Sequence, residues 1–249
     1  MNCCSFTITS DRGFYDYPLP PESPFAARIS LRGIDARAEI ERLAEEAPFV
    51  TCSQVHGARV IEAETAPSWP LREPADGLLV SPGGPVIGLR YGDCAPVIVL
   101  ALGDDPWLLL LHSGFKGTLA NIVASGMLAA REKYGPTAPR DLYSWVGPCI
   151  SGTCYTRRMD DPSTIEAMKR FSSEAITPGK EFAHIDLKRQ IALQLAECGV
   201  PEKHIWLESQ CTCCRTDLFC SHRRSTPDDD PRMLLTVRSR IPQSSPNRG

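Results

Sequence analysis

PWLLLLHSGFKGT, residues 106–118, runs four consecutive leucines into a histidine, two glycines and a lysine. An unbroken leucine run suits a strand buried on both faces, because a strand with one wet face would alternate apolar and polar side chains. Such strands usually stop at turns of modest chemistry, and this one stops at an imidazole. Upstream lie two more apolar runs, ADGLLVS (75–81) and PVIGLRYGDCAPVIVLAL (85–102), divided by PGG and GDD. Connections this short predict antiparallel neighbours. Downstream, TLANIVASGMLAAREKYG (118–135) carries Leu119, Ile122, Val123 and Met127 at helical spacing and ends on Gly135 before Pro136.

The remainder alternates between the same two patterns. ARISLRG (27–33), PFVTCSQVHG (48–57), RDLYSWVG (140–147), HIWLES (204–209) and RMLLTV (232–237) read as strands. ARAEIERLAEEA (36–47), DPSTIEAMKRF (161–171) and IDLKRQIALQLAECGV (185–200) read as amphipathic helices. The predicted class is mixed α/β, with sheets covered by helices. No internal repeat or low-complexity linker divides the chain, so one domain over residues 1–249 is expected, between a turn-rich opening and a polar end, IPQSSPNRG.

Composition narrows the function. The 249 residues carry 27 Lys and Arg against 30 Asp and Glu, a formal net charge of −3, which gives no long-range attraction to nucleic acid or anionic lipid. Any anionic ligand has to be held by local groups. No run of 18 apolar residues and no basic leader followed by an apolar stretch is present, so a cytoplasmic protein away from membranes is expected. Eleven cysteines, an odd number in a chain of this size without a secretion signal, read mostly as reduced thiols.

His56, Cys94 and His112 each stand at a predicted strand end close to a glycine: Gly57, Gly92 and Gly114. Strand ends present side chains to clefts, and small neighbours let backbone and ligand come close. Two imidazoles and a thiolate suit zinc, which in catalytic sites takes three protein ligands and leaves a fourth position for water. The same atoms suit a Cys94 nucleophile with His112 or His56 as its base, and spacing does not separate the two. After His112, Gly114, Lys116 and Gly117 precede a helix that Thr118 could cap, an arrangement suited to an anion. Phosphate candidates are Lys116, Arg223 and Arg224; Asp93 is either an acid/base group or an orienter of its neighbours. Cys211 and Cys214 form a CxxC with Cys220 and His222 nearby, whose spacing departs from paired zinc motifs, while Cys149 and Cys154 suit a tight loop.

SQVHGARV, ADGLLVS, GDCAPVIVL, HSGFKGTLANI, VGPCISGTCY, IDL and DLFCSHRR together resemble, in order and spacing, the YfiH-like laccase-domain family over roughly residues 25–240. That resemblance implies a layered α/β fold of mixed sheets, similar to the cysteine-hydrolase fold of the cytotoxic necrotizing factor catalytic domain. It also implies a metal site at His56, Cys94 and His112, holding zinc or copper. The activity it implies is phosphorolysis of adenosine, inosine and methylthioadenosine, with adenosine deamination beside it; peptidoglycan-precursor editing by a Cys94-based amide hydrolase and polyphenol oxidation are the other assignments. Multicopper oxidation needs an array of imidazoles, and five histidines with no H-x-H pair do not furnish one. The expected partners are a nucleoside and phosphate. The chain departs from the family's HAGWRG, reading HSGFKG with Lys116 for arginine, from its ADC, reading GDC, and from its glycine-rich segment after SYRR, reading SHRRSTPDDDPRM.

Overall fold

The computed structural model describes residues 3–8, 13–226 and 231–240. The polar end, 241–249, and residues 227–230 of the acid-rich segment lie outside the described residues. The four leucines are the inside of the molecule. Strand Trp107–Ser113 is buried at every position and pairs antiparallel with the equally buried Ala95–Ala101, in the register Ala95↔Ser113 to Ala101↔Trp107. Together they form the middle of a seven-stranded sheet.

Alternation across the pleat explains why every position of the run is apolar. Leu109 and Leu111, with Val97 and Val99, pack beneath the helices Ile122–Tyr134 and Leu187–Glu197. Leu108 and Leu110, with Ile98 and Leu100, face a five-stranded sheet through Leu89, Leu235 and Val237. The far side of that sheet presents Phe49 and Leu234 to helix Ala36–Glu46, which buries Ala36, Ile40 and Leu43 and is capped by Asp35 accepting from the Arg37 and Ala38 amides. The result is a helix, sheet, sheet, helix stack. Fully burying a leucine is worth about 1.5–3 kcal/mol, so only a strand sandwiched in this way repays four in a row.

Two expectations change. The 85–102 run is two strands in different sheets: Val86–Tyr91 pairs with Met233–Ser239 in the five-stranded sheet, and the chain crosses at Gly92–Cys94 to join the seven-stranded one. Sequential neighbours Gly77–Val80 and Val86–Tyr91 are therefore unpaired with each other; Gly77–Val80 lies antiparallel to Trp107–Ser113 instead. A mainly apolar run carries no period that marks such a crossing, and its internal Gly-Asp is equally a turn between neighbours in one sheet. The helix expected from Thr118 is also two, Phe115–Leu119 and Ile122–Tyr134, broken at Asn121, which adopts a left-handed φ of 56° and caps the second through the Ala124 amide. Thr118 is not a cap: its hydroxyl donates to the Gly114 carbonyl at 2.8 Å inside the first, five-residue helix. Gly114 is its N-cap residue, and Lys116 and Gly117 lie within it rather than ahead of it.

Candidate metal centre

The crossing at Gly92–Cys94 brings Cys94 to the end of strand Trp107–Ser113, where His112 waits, and the loop after Cys52–Ser53 delivers His56 to the same point. One nitrogen from each imidazole and the Cys94 sulfur all lie within 4.8 Å of one another. The two rings stand edge to face, 4.9 Å between centroids. His56, at φ 62°, and Asp93, at φ 80°, are two of three non-glycine residues with left-handed backbone among the described residues. Strain of this kind costs about 1–3 kcal/mol and persists where surrounding contacts impose it.

At His56 the imposing contact is Asp76. Its fully buried carboxylate accepts from the backbone amides of Val55 (3.1 Å), His56 (3.0 Å) and Gly57 (2.7 Å), shaping the loop that carries His56. The same carboxylate meets His112 Nδ1 at 2.8 Å, which turns the ring's other nitrogen toward Cys94. Burial works to raise the Asp76 pKa, but His112 and the Gly57 and His56 amides outweigh it and hold the carboxyl below its ordinary value. Sequence reading missed Asp76; its signal was an acid immediately before the buried run GLLV.

Electrostatics make the sulfur a thiolate. Burial alone pushes the Cys94 thiol up, yet hydrogen bonds with His112 and His56 and the charge of the two rings bring it down to about 6. Burial likewise opposes charge on His112, and the bonds to Asp76 and Cys94 carry it up to about 9. Gly114 closes the group: a Cβ there would stand 2.6 Å from Cys94 Sγ and 3.3 Å from His56 Cδ2. Two nitrogens and a thiolate match a zinc donor set, and an ion drawing ligands to about 2.0–2.3 Å would close the spacing with small side-chain movements.

The triad floors a cavity of 680 Å³. Phe115 and Tyr155, ring centroids 6.2 Å apart, give its wall aromatic surface, and Arg90, Lys116, Arg223 and Arg232 give it positive charge.

The family model described as multi-copper polyphenol oxidoreductase laccase matches residues 34–237. The chain belongs to this family. Among curated relatives, purine nucleoside phosphorylase YlmD of Geobacillus stearothermophilus is 33% identical over 224 residues, 82% of this chain and 80% of the relative. The purine nucleoside phosphorylase of Aquifex aeolicus is 24% identical over 217 residues, 87% and 95% of the two chains. The crystal structure of the Geobacillus YlmD superimposes with a TM-score of 0.80 at 25% identity, covering 94% of this chain and 98% of that one. Bacillus licheniformis YfiH shares the fold, with a TM-score of 0.76 at 21% identity, over 86% and 92%.

Within this laccase-family chain the remaining predicted residues fall unevenly. Lys116 and Arg223 line the cavity; Arg224 does not, and its guanidinium donates to the Cys213 carbonyl at 3.3 Å. Both Asp93 oxygens are occupied, Oδ1 by the Thr212 hydroxyl at 2.6 Å and Oδ2 by the Arg223 amide at 2.7 Å. Both contacts suit the orienting reading of Asp93, which also lines the cavity. The CxxC does gather a third donor, but the donor is Cys154, and neither Cys220 nor His222 joins that group. Burial tends to raise the Cys211 thiol, but the hydrogen bonds from Ser151 bring it to about 7, while Cys214, hydrogen-bonded to Cys154 and Cys211, is pushed up to about 12. Arg90, Arg157 and Arg232, which also line the cavity, carried no motif to mark them. No described helix is long and apolar enough to cross a membrane.

Proposed function

We propose that the chain is a metal-dependent purine nucleoside phosphorylase, acting on adenosine, inosine and methylthioadenosine, with accessory adenosine deamination. The observation that carries this reading is the juxtaposition of a His, Cys, His donor set with a cationic, aromatic-walled cavity, in a chain whose relatives bear the phosphorylase name. His56, Cys94 and His112 would hold zinc, or copper, which supplies a Lewis acid at the cavity floor. Lys116 and Arg223 bind phosphate. Lysine contributes a point charge where a bidentate arginine contact would add directional bonds. Arg90 supports an anion here: burial and then the charges of Arg72 and Arg232 press its pKa below the ordinary value, a repulsion that phosphate relieves. Tyr155 supplies aromatic surface for a purine, backed by the buried Phe115, over whose ring the Arg157 guanidinium lies 4.2 Å from the centroid. Asp93 positions the Arg223 backbone. In the reaction a phosphate oxygen bonds to the anomeric carbon as its bond to the purine nitrogen breaks, giving ribose 1-phosphate and the free base after protonation.

Adenosine and inorganic phosphate should yield adenine and ribose 1-phosphate in equal amounts, with inosine reporting deamination. Adenine release that is absent, or indifferent to phosphate, overturns the phosphorylase reading. Lys116→Ala should raise KM for phosphate about tenfold, a loss of ~1.4 kcal/mol of binding.

A second reading is favoured by one contact. Asp76, His112 and Cys94 form a carboxylate, imidazole, thiolate chain like that of a cysteine nucleophile, which suits an amide hydrolase acting on a cell-wall precursor. His56 would then add to the thiolate's stabilisation. Full hydrolytic activity in metal-free protein, abolished by covalent labelling of Cys94, would decide for it.

A further inference from the structure

Away from the His, Cys, His group, two loops bring three more sulfurs together. Cys154 Sγ lies 3.3 Å from Cys214 Sγ, 60 residues on, and the donor atoms of Cys154, Cys211 and Cys214 all lie within 4.8 Å of one another. We propose that these three cysteines form a second, thiolate-only site for a soft d10 cation, Cu⁺ or Zn²⁺.

The backbone holds the sulfurs in place before any ion arrives. Residues Cys149 and Cys211 pair as a parallel bridge, and the Thr212 amide donates to the Cys149 carbonyl at 3.2 Å, which fixes the two loops against each other. Cys154 is set by its amide on the Ser151 carbonyl (3.0 Å), and Cys214 by its amide on the Cys211 carbonyl (3.2 Å). The Ser151 amide donates to Cys211 Sγ itself at 3.2 Å, the kind of bond that favours a thiolate over a thiol. Tetrahedral ligands at the ~2.3 Å zinc–sulfur distance stand ~3.8 Å apart, so the observed spacing needs little adjustment. The donor set is sulfur alone, which selects Cu⁺ or Zn²⁺ over hard cations. Cys211 is buried and Cys214 exposed, so the site has an anchored side and an open one through which an ion can enter.

Its position suggests what it does. Cys154 directly precedes Tyr155 of the cavity wall, and Cys211 directly precedes Thr212, whose hydroxyl holds Asp93. An ion here would clamp the backs of both loops and stiffen the wall that carries Tyr155 and Arg223.

The test uses full-length, anaerobically reduced protein with Cys94→Ser, so that the first site lacks its sulfur. One equivalent of Cd²⁺, a spectroscopic stand-in, should be retained through desalting and give the near-ultraviolet sulfur-to-cadmium charge-transfer band. Adding Cys214→Ser, or Cys154→Ser as an alternative should one variant fail to fold, should abolish the band and weaken binding by more than about 100-fold, beyond the usual loss for an outer partner of a ligand. Competition by Zn²⁺ and by Cu⁺ then ranks the two cations, and displacement of Cd²⁺ by either supports the site. Absence of the band in reduced Cys94→Ser protein, its survival in the double variants, or a Cys154–Cys214 disulfide in protein isolated anaerobically would overturn the proposal.

Discussion

Asp76 shows how much one side chain can organise. A single buried carboxylate satisfies three loop amides and one imidazole, and so couples the path of the chain at His56 to the orientation of His112. An asparagine there must direct an NH₂ toward groups that already donate. Asp76→Asn should lower metal affinity by about 10–100-fold, read by chelator competition, and cost about 1–3 kcal/mol of stability from the unsatisfied amides, read by urea unfolding. The Cys94 thiol offers a second measurement at this scale. In the folded state its pKa is brought down from the ordinary thiol value to about 6, so thiolate is present above about pH 6 and lost as pH falls through it. Alkylation of Cys94 in metal-free protein, followed by peptide mass, should rise with a midpoint near 6, while Cys52 and Cys149, pushed by burial to about 12, stay unlabelled at neutral pH. A Cys94 midpoint above 8 would show that the two imidazoles do not hold the thiolate.

At the scale of elements, helix Ile122–Tyr134 lies close against the leucine strand because it has no side chain at Gly126. A Cβ there would meet Leu109 Cδ2 at 2.5 Å and Cγ at 3.3 Å, in the middle of a fully buried residue. Helix propensity favours Gly126→Ala by up to about 1 kcal/mol; overpacking opposes it by about 1–3 kcal/mol. We expect net destabilisation near 1 kcal/mol in thermal or denaturant unfolding, opposite in sign to the propensity. The leucine strand, its partner and the three long helices were legible because their periods and lengths are strong. The crossing at Gly92–Cys94 and the break at Asn121 were not, since both depend on where the chain meets a neighbouring layer and on φ values that Asp and Asn can adopt but do not advertise.

Across the whole molecule, the proposed metal ligands come from distinct layers: Cys94 from the link between the two sheets, His112 from the seven-stranded sheet, and His56 from a loop tied to Asp76. An ion bound to all three ties the sheets together and stabilises the folded state by mass action, about 2.7 kcal/mol when free metal is at 100 times its Kd. For a chain of this length that corresponds to roughly 5–10 °C in Tm. Chelation of the metal-loaded protein should produce that drop in the wild type and a much smaller one in Cys94→Ser; equal drops would place the stabilising ion elsewhere.

The amino-acid sequence by itself determined the mixed α/β class, the buried leucine strand, and the three residue types able to share an ion, because local period and donor chemistry are properties of short segments. Which residues meet was decided only in three dimensions. Asp76 beneath the two histidines, Asp93 bound to Thr212 and Arg223, and Cys154 beside the CxxC all join segments far apart in the chain. Contacts of that kind arise from how sheets stack and loops close, and local pattern does not encode them.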